Sequence, residues 1–128
     1  MPGYNSFADF WPYYLREHGR SETRALHVAG TALSVAFLAA GLAALSRHRS
    51  EEDSTPLPWF IGAALAGYGP AWIGHFVFEK NQPATFQHPL WSLLADLRMS
   101  WLWLTGELDD ELSRIPPPVK AERNSVSR

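Results

Sequence analysis

Cysteine is absent from this 128-residue chain, which removes disulfides and thiolate metal sites together. Any metal must then be held by imidazole, carboxylate or water. A charge excess is missing too: 11 Lys and Arg stand against 13 Asp and Glu, so no basic footprint points to nucleic acid. The opening residues, Met1-Pro2-Gly3-Tyr4-Asn5, lack the basic segment and short apolar core of a cleaved signal peptide. Insertion into a membrane would therefore fall to internal helices. The most telling absence is local, because no Asp, Glu, Lys or Arg occurs between Arg24 and Arg47. The mean hydropathy of the whole chain is slightly negative, since polar residues gather at the two ends and in one loop.

What is present is aromatic and helical in pattern. Phe7, Phe10, Trp11, Tyr14 and Leu15 recur at helical spacing over residues 6–18 and form one aromatic face, suited to a core or to a headgroup-level anchor. Ser6 and Asp9 resemble a capping box, while Pro12 argues for a start near Trp11 with proline in the first turn. Ser21 is placed to cap the next helix. The uncharged run that follows is about 20 residues long, roughly the 30 Å of a bilayer's hydrocarbon core. A buried helix of a soluble protein passes the same test, but so small a domain offers little protein to hide it.

Residues 46–58 form a charged, proline-punctuated loop, and a second apolar run extends from Trp59 to Phe78, with Pro70 set to kink it. Gly30 and Ser34 on one run, and Gly62 and Ala66 on the other, provide the small-residue grooves that favour close packing in lipid. The expected fold is all-α, a small membrane protein with two apolar hairpin helices and flanking amphipathic or interfacial helices. Residues 89–105 supply one of the latter, with Leu90, Leu94, Leu97, Trp101 and Leu104 on one stripe and Asp96 and Arg98 mid-helix, where charge is costly in lipid. A third span is the alternative. One domain is expected over residues 1–110, with a polar, disordered tail over 111–128.

An antiparallel hairpin brings His27 and His75 to one edge, and His18 lies just before the first apolar helix on that same edge. His75 and Glu79 are four apart and share a helix face, which Tyr68 and Trp72 continue as an aromatic wall. Imidazole and carboxylate presented together suit iron or zinc, although a hydrogen-bonded interfacial pair has the same spacing. His88 and Asp96 are further candidates, whereas His48 sits among charges and serine and reads as solvated. Arg16, Arg20, Arg24 and Lys80 on the histidine side outnumber Arg47 and Arg49 in the loop, which favours a cytoplasmic histidine edge on a multi-pass integral membrane protein.

Three segments carry a resemblance: Tyr13-Tyr14-Leu15-Arg16-Glu17-His18, Arg24-Ala25-Leu26-His27-Val28-Ala29-Gly30-Thr31, and the stretch from Gly67 to Thr85 that includes Gly74-His75-Phe76-Val77-Phe78-Glu79-Lys80-Asn81-Gln82-Pro83-Ala84-Thr85. Together they resemble the Mpo-type family of small membrane proteins, over roughly residues 6–105. Gly19-Arg20-Ser21-Glu22-Thr23 departs from the Asn-Pro-type turn of many relatives. The resemblance implies an iron(II)-dependent dioxygenase that shortens 2-hydroxy fatty acids by one carbon. It implies His18, His27 and His75 as metal ligands, and Glu79 as a fourth ligand, an orienting group or a proton acceptor. His88 matches the family pattern less closely.

On that reading the partners are the lipid bilayer, a fatty-acyl substrate and dioxygen. Position alone assigns Tyr68 and Trp72 to the acyl chain, and Arg24 and Lys80 to its carboxylate. Small-residue faces also permit a homo-oligomer. Two rivals remain on the sequence: a non-enzymatic membrane hairpin or scaffold, and a different metal-dependent lipid-modifying enzyme.

Overall fold

The computed structural model describes residues 3–48 and 55–116, and every regular element among them is helical. In chain order these are α1 (Phe7–Glu17), α2 (Ser21–His48), α3 (Leu57–Ile73), a π-helical segment (Gly74–Glu79), a 3-10 turn (Ala84–Phe86), α4 (Pro89–Thr105) and α5 (Leu108–Ser113). The start of α1 lies earlier than Pro12 suggested. Ser6 Oγ accepts the Asp9 N–H at 3.1 Å and donates to Asp9 Oδ2 at 2.7 Å, so the cap holds a full turn ahead of the proline.

The aromatic face of α1 resolves as core. Phe10, Trp11, Tyr14 and Leu15 pack with Ala84, Ala95, Met99 and Leu108, so the main apolar cluster lies among α1, α4 and α5. Glu111 locks this unit: it accepts from Trp11 Nε1 at 2.7 Å and pairs with Arg98 Nη2 at 3.1 Å, while Arg98 lies 4.4 Å over the Trp11 ring. Residues 111–116, assigned on composition to the polar tail, therefore complete the core instead, with Leu112 and Ile115 packed on it. The remainder of the expected tail and the middle of the charged loop lie outside the described residues.

The apolar helices pair with each other through small residues. A Cβ on Gly30 would stand 2.8 Å from the Ala66 carbonyl, closer than side chains tolerate. That carbonyl is the one Pro70 leaves without its helical N–H partner, so glycine and proline together let α2 press against an unpaired acceptor. Ser34 Oγ adds a bond to Ala63 O at 2.8 Å.

The outer surfaces are as apolar as the inner ones. Leu33, Val35, Leu38 and Leu42 of α2 are exposed, and Leu90, Leu94, Leu97, Trp101 and Leu104 of α4 all face outward. In their place α4 buries Ser92, Ala95, Met99 and Ser100. Contiguous apolar exposure on this scale marks an interaction surface rather than ordinary scatter. Among the described residues, α2 alone is long and apolar enough to cross a membrane, and only 22% of its most apolar window is buried. The second expected span is shorter as an α-helix, because α3 ends after 17 residues where the π-helical segment takes over.

Candidate metal centre

Three separate stretches converge at one end of the α2–α3 pair. His18 is the C-cap of α1. The next helix begins three residues later, and His27 lies in its second turn. His75 is the second residue of the π-helical segment, where Gly74 allows the approach: a Cβ there would meet Thr23 Cγ2 of α2 at 2.9 Å. Local π-helical winding is a frequent mark of functional sites. It ends at Lys80 in the left-handed conformation, with φ of 56°, and the carbonyl of His75 accepts from Asn81 N at 3.1 Å.

The three imidazoles are buried, and their candidate ligand atoms all lie within 4.8 Å of one another. His18 Nε2 stands 3.1 Å from His27 Nε2, which stands 3.2 Å from His75 Nε2. Each opposite nitrogen is taken. His18 Nδ1 donates to Tyr14 O at 2.6 Å, His27 Nδ1 to Asp96 Oδ1 at 2.9 Å, and His75 Nδ1 to Asn81 Oδ1 at 2.7 Å. The Asn81 orientation is fixed in turn, since its Nδ2 donates to Glu17 O at 3.0 Å and Glu17 Oε2 at 2.8 Å. With a proton on every Nδ1, neutral rings have only lone pairs on Nε2. Three lone pairs aimed at one another repel, unless a cation lies among them. This outer ring of acceptors is what metal-bound histidines require. The donor set thus fits a divalent metal.

The electrostatics agree. Burial pushes the His18 imidazole well below its ordinary range, helped by the neighbouring His27 and His75 rings and by Arg24, so the ring stays neutral. Tyr14 donates its hydroxyl to Asp96 Oδ1. Its phenol is pushed well up by burial and then by the Asp96 charge, and it remains a donor.

The other candidates occupy different places. Glu79 Oε1 accepts the Arg20 N–H at 2.6 Å, capping the start of α2 from outside. Ser21, expected to cap this helix, is its first residue instead, and its hydroxyl donates to Glu22 at 3.2 Å. Arg24 Nη1 donates to the carbonyls of His18 and Gly19 at 2.9 and 2.8 Å, tying off the end of α1. Lys80 is exposed. Tyr68 and Trp72 are exposed, their rings 5.9 Å apart, and Trp72 faces Phe86 at 5.8 Å. The aromatic wall therefore continues along the outer surface instead of leading inward to the histidines. His88 belongs to an aromatic cluster with Tyr4, Phe10 and Trp91. Asp96 stands behind His27 as its orienting carboxylate.

Two participants had no role on sequence grounds, Tyr14 and Asn81. Tyr14 is one member of an aromatic face and Asn81 follows Glu79-Lys80; both lie in segments that carry the family resemblance, without a role of their own. A helical offset of four places Tyr14 before His18, which is the one local signal for its carbonyl.

Comparison with known proteins adds one match. The family model described as 2-hydroxy-palmitic acid dioxygenase Mpo1-like matches residues 4–108. No curated protein and no solved structure matches the chain.

Proposed function

From the premise that this chain belongs to the Mpo1-like family, we propose that it is an iron(II)-dependent dioxygenase acting on 2-hydroxy fatty acids and shortening them by one carbon. The observation that carries the reading is the trio of buried imidazoles whose Nε2 atoms converge while each Nδ1 is held by an acceptor. His18, His27 and His75 would hold the metal and leave coordination positions open, as non-haem iron chemistry needs. Iron(II), when bound, supplies the capacity to bind and reduce dioxygen.

The chain's own residues supply the rest. Tyr14, Asp96 and Asn81 keep the ligand tautomers fixed, and the aromatic layer of α1 excludes water from one side. Arg24 places a positive charge beside His18, favourable for an anionic headgroup at this edge. An acyl chain suits the apolar outer surface formed by Tyr68, Trp72 and Phe86.

We assign the protein to a bilayer, with α2 spanning and the outward faces of α3 and α4 in contact with lipid. The Lys and Arg bias of the sequence favours a cytoplasmic histidine edge. Support comes from the low burial of α2 and the apolar exterior of α4. Retention in the membrane fraction after alkaline carbonate washing is expected, with release only by detergent. Release by carbonate alone would remove the spanning assignment.

The function is tested by elemental analysis of protein purified anaerobically in mild detergent, beside a His75→Ala variant. About one iron per chain in the first and none in the second is expected, followed by oxygen-dependent conversion of 2-hydroxyhexadecanoic acid to a product one carbon shorter. No metal in the wild type after iron(II) is supplied would favour a membrane scaffold. Metal without loss of a carbon would favour another lipid-modifying reaction.

A further inference from the structure

The three candidate ligands lean on acceptors of different strength. His18 donates to a backbone carbonyl, His75 to a neutral amide oxygen and His27 to a carboxylate. A carboxylate draws the Nδ1 proton hardest, so His27 is the strongest electron donor through Nε2. The carboxylate oxygen concerned, Asp96 Oδ1, also accepts from the Tyr14 hydroxyl. Two donors on one oxygen compete, and each weakens what the oxygen gives the other.

We propose that Tyr14 and Asp96 are paired positioning residues of opposite effect. Asp96 raises the donor strength of His27, and the Tyr14 hydroxyl holds that effect in check by sharing the same oxygen. Tyr14 is built into the site at two further points. Its carbonyl holds the His18 Nδ1 proton at 2.6 Å, and its ring lies 4.0 Å from the His18 ring. One residue of α1 thus reaches the outer side of two ligands, one of them through Asp96 of α4. Tyr14 is buried and Asp96 half-buried, so a hydrogen-bond imbalance between them is felt more strongly than in water.

This inference rests on the reading that the histidines hold a metal, and the test separates the two. Cobalt(II), a spectroscopic probe, is titrated into detergent-solubilised wild type, Tyr14→Phe and Asp96→Asn, and the midpoint potential of each iron-loaded protein is measured. Asp96→Asn should weaken cobalt binding by about 10- to 100-fold and raise the potential. Tyr14→Phe keeps the ring, frees Oδ1 for His27 alone, and should lower the potential without weakening cobalt binding. A merely structural role moves both variants in one direction, because each disturbs the same Tyr14–Asp96 contact. Wild type and variants that bind cobalt while the potentials shift together, or not at all, would overturn the opposition and leave the metal site standing. A wild type that takes up no cobalt removes the metal reading and this inference with it. Thermal unfolding of the metal-free proteins shows whether each variant is folded, and Asp96→Glu, which keeps the charge, should restore part of the affinity lost in Asp96→Asn.

Discussion

Asn81 is the sharpest place to perturb the site, because its two ends serve different purposes. Its Oδ1 accepts from the buried His75 Nδ1 at 2.7 Å, and its Nδ2 donates to Glu17 Oε2 at 2.8 Å and to the Glu17 carbonyl at 3.0 Å. Asn81→Ala removes both. An unsatisfied N–H on a buried ring costs about 1–3 kcal/mol, and the bond to a partly exposed carboxylate adds about 1 kcal/mol. The metal-free protein should therefore lose about 2–4 kcal/mol. His75 is then free to protonate Nε2 instead, so metal affinity should fall about 10- to 100-fold, or roughly 1.4–2.8 kcal/mol.

Asn81→Asp separates the two roles. The carboxylate still accepts from His75, but its other oxygen meets Glu17 Oε2 where an amide donor stood. Stability should fall and rise again on mild acidification, as the pair takes up a proton, while metal affinity is kept or strengthened by the carboxylate behind His75. Chemical denaturation in detergent reads stability, and cobalt(II) titration reads affinity. Equal loss of metal affinity in the Ala and Asp variants would refute the tautomer argument for His75.

The packing and the charges carry three further expectations. Gly30→Ala should destabilise the protein by about 1–3 kcal/mol through overpacking against Ala66 O, although helix propensity alone favours Ala by about 1 kcal/mol; a higher melting temperature for the variant would sink the close-approach reading. Glu111→Ala should cost about 1–3 kcal/mol by orphaning the buried Trp11 Nε1–H, with cobalt affinity unchanged; a matching loss of affinity would mean that α5 shapes the site directly. His18 is held neutral when folded, its pKa lowered chiefly by burial, so below about pH 6.5 the unfolded chain takes up a proton that the folded chain refuses. Metal-free stability should therefore fall from pH 7.5 to pH 5, and less steeply in His18→Gln. A flat profile for wild type across that window would contradict a neutral buried ring.

Much of the fold is legible in local pattern. The uncharged run after Arg24 and the stripe from Leu90 to Leu104 each follow from one helix's own periodicity. The reach of α4, residues 89–105, needs nothing outside the segment. Other features depend on what the chain brings alongside. Ser6 could be read as a cap, but only the packed face of α1 shows that Pro12 is tolerated inside the helix. Composition put residues 111–116 in a polar tail, because nothing local indicates that Glu111 is held by a tryptophan and an arginine.

The same division runs through the candidate site. The absence of cysteine left imidazole, carboxylate and water as donors, the antiparallel pairing put His27 and His75 at one end, and the family resemblance implied His18, His27 and His75 as the ligand set. Spacing joined Glu79 to His75, but the tertiary structure sends its carboxylate to Arg20 N, 59 residues away in the chain. Tertiary structure also chose the acceptors behind each ring: Tyr14 for His18, Asp96 for His27 and Asn81 for His75. Helical periodicity reports which way a side chain faces, not what it meets. Ring tautomers, and with them the ability to hold a metal, are decided by partners 69 residues apart for His27 and Asp96, which only the packing of α1, α2 and α4 brings together.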